Sequence, residues 1–117
     1  MPTEETTFAC TMNVFSAEER HQHEQIVQQL FGSIQSIREL SNGYAFQLPN
    51  SSAVLSLATR FIDSERLCCP FFGFALELEP HNGNLWLQLT GSAGVKAFIF
   101  AEFGQALTDI NQQKMNR

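Results

Sequence analysis

The sequence has no C-x-x-C pair, no H-E-x-x-H, no Gly-rich phosphate loop and no nucleophile elbow. The familiar spacings for zinc ribbons, zincins, nucleotide binding and triad hydrolysis are therefore missing. Positive charge is also scarce: seven Lys and Arg stand against twelve Asp and Glu, and the basic residues are scattered from Arg20 to Arg117. A phosphate backbone is held by clustered cations, so nucleic acid and anionic membrane surfaces are poor partners. No apolar run approaches the ~20 residues that span a bilayer. Residues 1–7 have neither the basic start nor the apolar stretch of a secretion signal, so the expected location is cytoplasmic. Cysteines number three, and two of them are adjacent. That is a poor plan for a disulfide framework, and free thiols in a reducing compartment are expected.

What is present is an apolar fraction of 44% with eleven Phe, which predicts a core of Phe, Leu, Ile and Ala. The length predicts one α+β domain over 1–117, with 1–6 and 111–117 as frayed tails. Thr7 to Phe15 alternates, with Phe8, Cys10, Met12 and Val14 on one face of a half-buried strand. Ser16 and Glu19 form a capping box before a helix with the stripe Ile26, Val27, Leu30 and Phe31, and Gly32 is suited to a left-handed stop. Ile34 to Leu40 and Tyr44 to Leu48 flank Asn42-Gly43, the pair best able to form a type I′ turn. Val54, Leu57, Ala58, Phe61 and Ile62 mark a second helix, which Pro70 must stop. Phe72 to Leu78 and Leu85 to Leu89 read as a second hairpin around Pro80 to Asn84. Val95, Phe98, Ile99, Phe103, Ala106 and Leu107 describe a third helix. The order matches a ferredoxin-like βαββαβ pattern extended by a terminal strand and helix, which predicts a mainly antiparallel sheet with helices on one face.

Chemistry concentrates between Glu65 and Phe74. On a helix, Glu65 stands one turn before Cys68 and Cys69, so a carboxylate and a thiol share a face that continues from Phe61. Pro70 pushes Cys69 out of the helical region, which lets neighbouring sulfurs converge on one soft ion. Zinc would need further ligands from Cys10, Glu65, His21, His23 or His81, although the histidines read as surface residues. A helix C-terminus and a nearby carboxylate both raise a thiol pKa, which disfavours an activated nucleophile or a vicinal-disulfide redox cycle. Metal binding survives that objection, because the ion itself displaces the protons. The plainer alternative stays open: Cys68, Cys69 and Cys10 as small hydrophobes in a packed corner.

This segment resembles a family of small, uncharacterised bacterial proteins with an E-x-x-C-C-P-F-F-x-F motif, followed by an alternating strand and T-G-x-x-G. The matching residues are Glu65, Cys68, Cys69, Pro70, Phe71, Phe72 and Phe74, then Thr90, Gly91 and Gly94. The likeness covers about the C-terminal half. It implies no established activity, and an association of similar segments with metal-responsive regulators favours metal handling. Two non-enzymatic readings lead, ahead of a third in which a thiol redox enzyme cycles the adjacent pair through a vicinal disulfide. In the first, Cys68, Cys69, Glu65 and Cys10 hold zinc or another soft metal or metalloid ion. In the second, a noncatalytic domain binds a small apolar ligand or forms a homodimer through Phe71, Trp86 and Phe100, its cysteines being structural.

Overall fold

A computed structural model of the chain describes residues 14–104. The expected first strand falls mostly outside the described residues, as do Cys10, Ala106 and Leu107, and its last two positions, Val14 and Phe15, are not in the sheet. Helix α1 (Ala17–Gly32) opens with the expected reciprocal cap. The Glu19 amide donates to Ser16 Oγ at 3.1 Å and the Ser16 amide donates to Glu19 Oε1 at 2.9 Å. Its end departs from expectation: Gly32 keeps a negative φ, and Ser33 (φ −96°) closes the helix by donating its hydroxyl to the Leu30 carbonyl at 2.6 Å.

Strands β1 (Ser36–Leu40) and β2 (Gly43–Leu48) form the first hairpin, with Ser41-Asn42 at the tip. Neither tip residue has positive φ, so the expected type I′ turn on Asn42-Gly43 is not made. Gly43 is required for space instead. It lies opposite Thr90 in the neighbouring strand, and a Cβ there would collide with the Leu89 carbonyl oxygen.

Helix α2 (Ser52–Cys68) is capped by Ser51, which accepts from the Val54 amide at 3.2 Å. It stops as Pro70 demands, with Cys69 at φ −128°, ψ 70°. Strands β3 (Gly73–Leu78) and β4 (Leu85–Thr90) follow. Positive φ occurs in their connection, at His81 (63°) and Asn82 (57°), a turn held by the Asn50 side-chain amide donating to Asn82 Oδ1 and the Gly83 carbonyl. A third helix, α3, covers residues 95–104. The T-G-x-x-G segment leads into it: Gly94 adopts φ 94°, and Gly91 sits where a Cβ would strike Val95.

The four strands form one antiparallel sheet in the order β1-β2-β4-β3. In a ferredoxin-like sheet the chain's first strand lies beside the strand named β2 here, and β4 takes that place instead. The reason is visible in β4, which is apolar on both sides: Leu85, Leu87 and Leu89 are fully buried on one face, and Trp86 is only 5% exposed on the other. Such a strand loses least in the middle of a sheet. Phe46, Leu48, Leu85, Leu87 and Leu89 join one core cluster with Ile26, Leu30 and Phe31 of α1, Ala58 and Phe61 of α2, and Val95, Ile99 and Phe103 of α3. Each of the Leu, Ile, Val and Phe side chains contributes about 1.5–3 kcal/mol of apolar burial. Among the described residues no helix is long and apolar enough to cross a membrane.

The collision at Gly43 sets a stability test. Gly43→Ala should destabilise the protein by about 1–3 kcal/mol, the usual range for overpacking, seen as a lower urea midpoint with an unchanged slope. Gly32→Ala, which meets nothing within 4 Å, should leave the midpoint the same or raise it.

Candidate metal centre

The buried stripe of α2 consists of Ala58, Phe61, Glu65 and Cys68, and that of α1 of His23, Ile26, Leu30 and Phe31. Both are ordinary helical spacings, except that each stripe carries an ionisable side chain, Glu65 in one and His23 in the other. The two helices pack so that these exceptions meet. His23 Nε2 and Glu65 Oε1 share a hydrogen bond of 2.7 Å, with His23 5% and Glu65 4% exposed. A buried polar group without a partner costs several kcal/mol, so each residue answers the other's requirement.

Cys68, 1% exposed, completes the cluster. Its Sγ lies 3.8 Å from Glu65 Oε1 and 3.6 Å from the Glu65 carbonyl oxygen. One ligand atom each from His23, Glu65 and Cys68 falls within 4.8 Å of the others. The His23 ring is stacked on Phe61 (5.9 Å between centroids, 15°) and tilted against Phe15 (5.6 Å). Its Nδ1 is buried and has no hydrogen-bond partner among the described residues.

The break at Pro70 does bring the adjacent sulfurs together, Cys68 Sγ lying 3.5 Å from Cys69 Sγ. Cys69 is, however, disulfide-bonded, which departs from the expectation of free thiols throughout, and Cys68 is the free thiol of the pair. Cys10 lies outside the described residues. His21 and His81 are exposed, and neither joins the cluster. Phe71 packs edge-on against Phe72 and Phe98 at 5.1 and 5.2 Å, extending the core cluster that contains both cysteines.

Expected as a surface residue, His23 is the member that the sequence reading misplaced. The signal was available: three and four residues before Ile26 and Val27, it continues their stripe back by one turn.

Beside the cluster is a cavity of about 420 Å³, bounded by His23, Glu65, Cys68 and Glu102 with Val27 and Phe103 as apolar wall. Among the described residues no Lys or Arg borders it. Burial, then the Glu65 charge and the hydrogen bond to its carboxylate, push the Cys68 thiol up to about 12. The thiol therefore stays protonated at neutral pH, which removes the activated nucleophile that a Cys-His pairing would otherwise suggest. The histidine contacts the carboxylate and not the sulfur, the reverse of a nucleophile-base arrangement. Comparison with known protein families, with curated proteins and with solved structures returned no match.

The thiol's environment gives a direct test on metal-free protein. With Cys68 raised from 9.0 to about 12, folded protein holds a proton that the unfolded chain has lost between those values. Stability should thus be unaffected by this group below pH 9 and fall as pH rises toward 12. Iodoacetamide at pH 8 should modify Cys68 at least about tenfold more slowly than it does in the urea-unfolded chain. Glu65→Gln, by removing the charge, should speed the reaction in the folded protein, as read by mass spectrometry of the Cys68 peptide.

Proposed function

We propose that the chain binds a divalent metal ion of borderline softness, zinc before others, through His23, Glu65 and Cys68. The observation that carries this reading is the meeting of three buried ligand atoms from two helices within 4.8 Å. Imidazole nitrogen, carboxylate oxygen and thiolate sulfur are the donor set that zinc accepts. With bonds of ~2.0–2.3 Å, tetrahedral donors stand roughly 3.3–3.7 Å apart. The 3.8 Å between Cys68 Sγ and Glu65 Oε1 already suits this, and the 2.7 Å between His23 and Glu65 must open by roughly 0.6 Å. Bound metal would replace the proton in that hydrogen bond and the proton on sulfur, so the high thiol pKa is no obstacle to it. A cavity edged by carboxylates, with no Lys or Arg among its described lining residues, favours a cation electrostatically.

The ligand set differs from the one expected from sequence. Glu65 and Cys68 remain, His23 enters, and Cys69 stands beside the site as a disulfide-bonded neighbour. Mercury and arsenite prefer several thiolates, so one free thiol with N and O donors favours zinc over them. The accompanying fold reading keeps the helices on one sheet face, supported by Phe31 packed on Phe46 and Phe61 on Phe74. A homodimer or apolar-ligand reading retains only part of its basis. Trp86 is buried with Arg38 over its ring at 4.2 Å, and Phe71 is half-buried, whereas Phe100 is 52% exposed.

Protein purified without chelator and supplied with zinc should hold about one equivalent by elemental analysis. Cys68→Ser and Glu65→Gln should each hold far less while still showing a cooperative thermal transition. Equal metal in the wild type and both folded variants, or none in the wild type, overturns the assignment.

A further inference from the structure

Three protein donors leave one corner of a tetrahedron open, and the structure points to what fills it. We infer that Glu102 of α3 is the fourth ligand, so that metal binding ties all three described helices together at one point. The inference rests on the metal reading of His23, Glu65 and Cys68.

Glu102 borders the same cavity as those residues and, among the described residues, supplies its only polar side chain from α3. The helix is anchored there by the next residue: Phe103 stacks on Phe31 of α1 at 4.5 Å and 12°, and meets Phe61 of α2 at 6.3 Å. Phe61 lies one turn before Glu65 on the buried face. The Glu102 backbone is therefore held at the junction of the two helices that carry the other donors, and its carboxylate, which is not among the ligand atoms within 4.8 Å of one another, would swing inward to join them. The Glu65 and Glu102 carboxylates border one cavity and repel each other, and a cation bound between them would turn that repulsion into attraction.

Glu24 also borders the cavity, from α1. It lies on the exposed side of that helix, one residue after His23 and so turned by ~100° from the cluster. A Glu102 ligand would make the site closed and structural, with four protein donors, whereas a water in that corner would leave it open.

Cobalt(II) separates these outcomes, because its visible bands report coordination number and its sulfur-to-metal charge-transfer band reports the thiolate. Wild-type protein titrated with cobalt should give intense bands of four-coordinate metal together with the charge-transfer band. Glu102→Gln should keep the charge-transfer band, lose intensity in the visible bands, and bind cobalt at least about tenfold more weakly, the scale on which loss of even an outer partner acts. The variant without metal should unfold at the wild-type urea midpoint or above it, since only a like-charge contact is removed. Amides of residues 95–104 should exchange more slowly in wild type with metal than without, and this protection should shrink in Glu102→Gln. Unchanged affinity and visible spectrum in the variant would exclude Glu102 as a ligand and leave the three-residue site standing. No charge-transfer band in the wild type would remove the metal reading itself.

Discussion

The hydrogen bond between His23 and Glu65 joins residues 42 positions apart through an otherwise apolar layer between α1 and α2. An ionisable side chain in such a place is tolerated only with a partner, and removing either partner leaves a buried polar group that costs several kcal/mol. The bond therefore fixes the rotation of α1 against α2 more sharply than interchangeable hydrophobic contacts do. A helix turned by one residue would keep much of its apolar burial and strand Glu65. Phe61 stacked on the imidazole holds the ring plane, so that the 2.7 Å contact is supported from the side as well.

Once that pair is set, the chemistry of Cys68 follows. The last turn of α2 places its thiol one turn beyond Glu65, on the same buried face, in contact with the carboxylate. An adjacent base would make a reactive cysteine. An adjacent acid in a buried site makes an inert one that can still release its proton to a metal ion. The same segment thus opposes nucleophilic chemistry and favours coordination, and both consequences have one electrostatic cause. The proline at 70 matters because it ends the helix there and turns the chain into β3, leaving Cys68 as the final helical residue.

Glycines show how one residue type serves different constraints. Gly94 is needed for its left-handed backbone before α3, whereas Gly43 is needed because the β4 backbone passes too close for any side chain. The Asn42-Gly43 pair looked like a turn signal because that dipeptide readily adopts positive φ. What decided its conformation was the pairing of β2 with β4, which drew Gly43 into the strand opposite Thr90. The positive φ angles went to His81 and Asn82 instead, in a turn steadied by Asn50 from 32 residues away. The His23 misreading has the same character: its helical phase was readable, but polarity suggested solvent, and only the arrival of Glu65 on a facing helix makes burial tolerable.

Read alone, the residues determined the local features: the Ser16-Glu19 cap, the stop before Pro70, the existence of both hairpins and three helices, and the shared face of Glu65 and Cys68. Those depend on interactions within a few positions, where periodicity and backbone sterics act directly. The tertiary structure decided the strand order, with β4 beside β2, and the partner of the buried carboxylate, His23 from α1. These depend on which surfaces meet, and a strand or helix carries no local record of its distant neighbour. The site's chemistry belongs to that second group, because a lone buried acid, imidazole or thiol has no function until packing puts them around the same cavity.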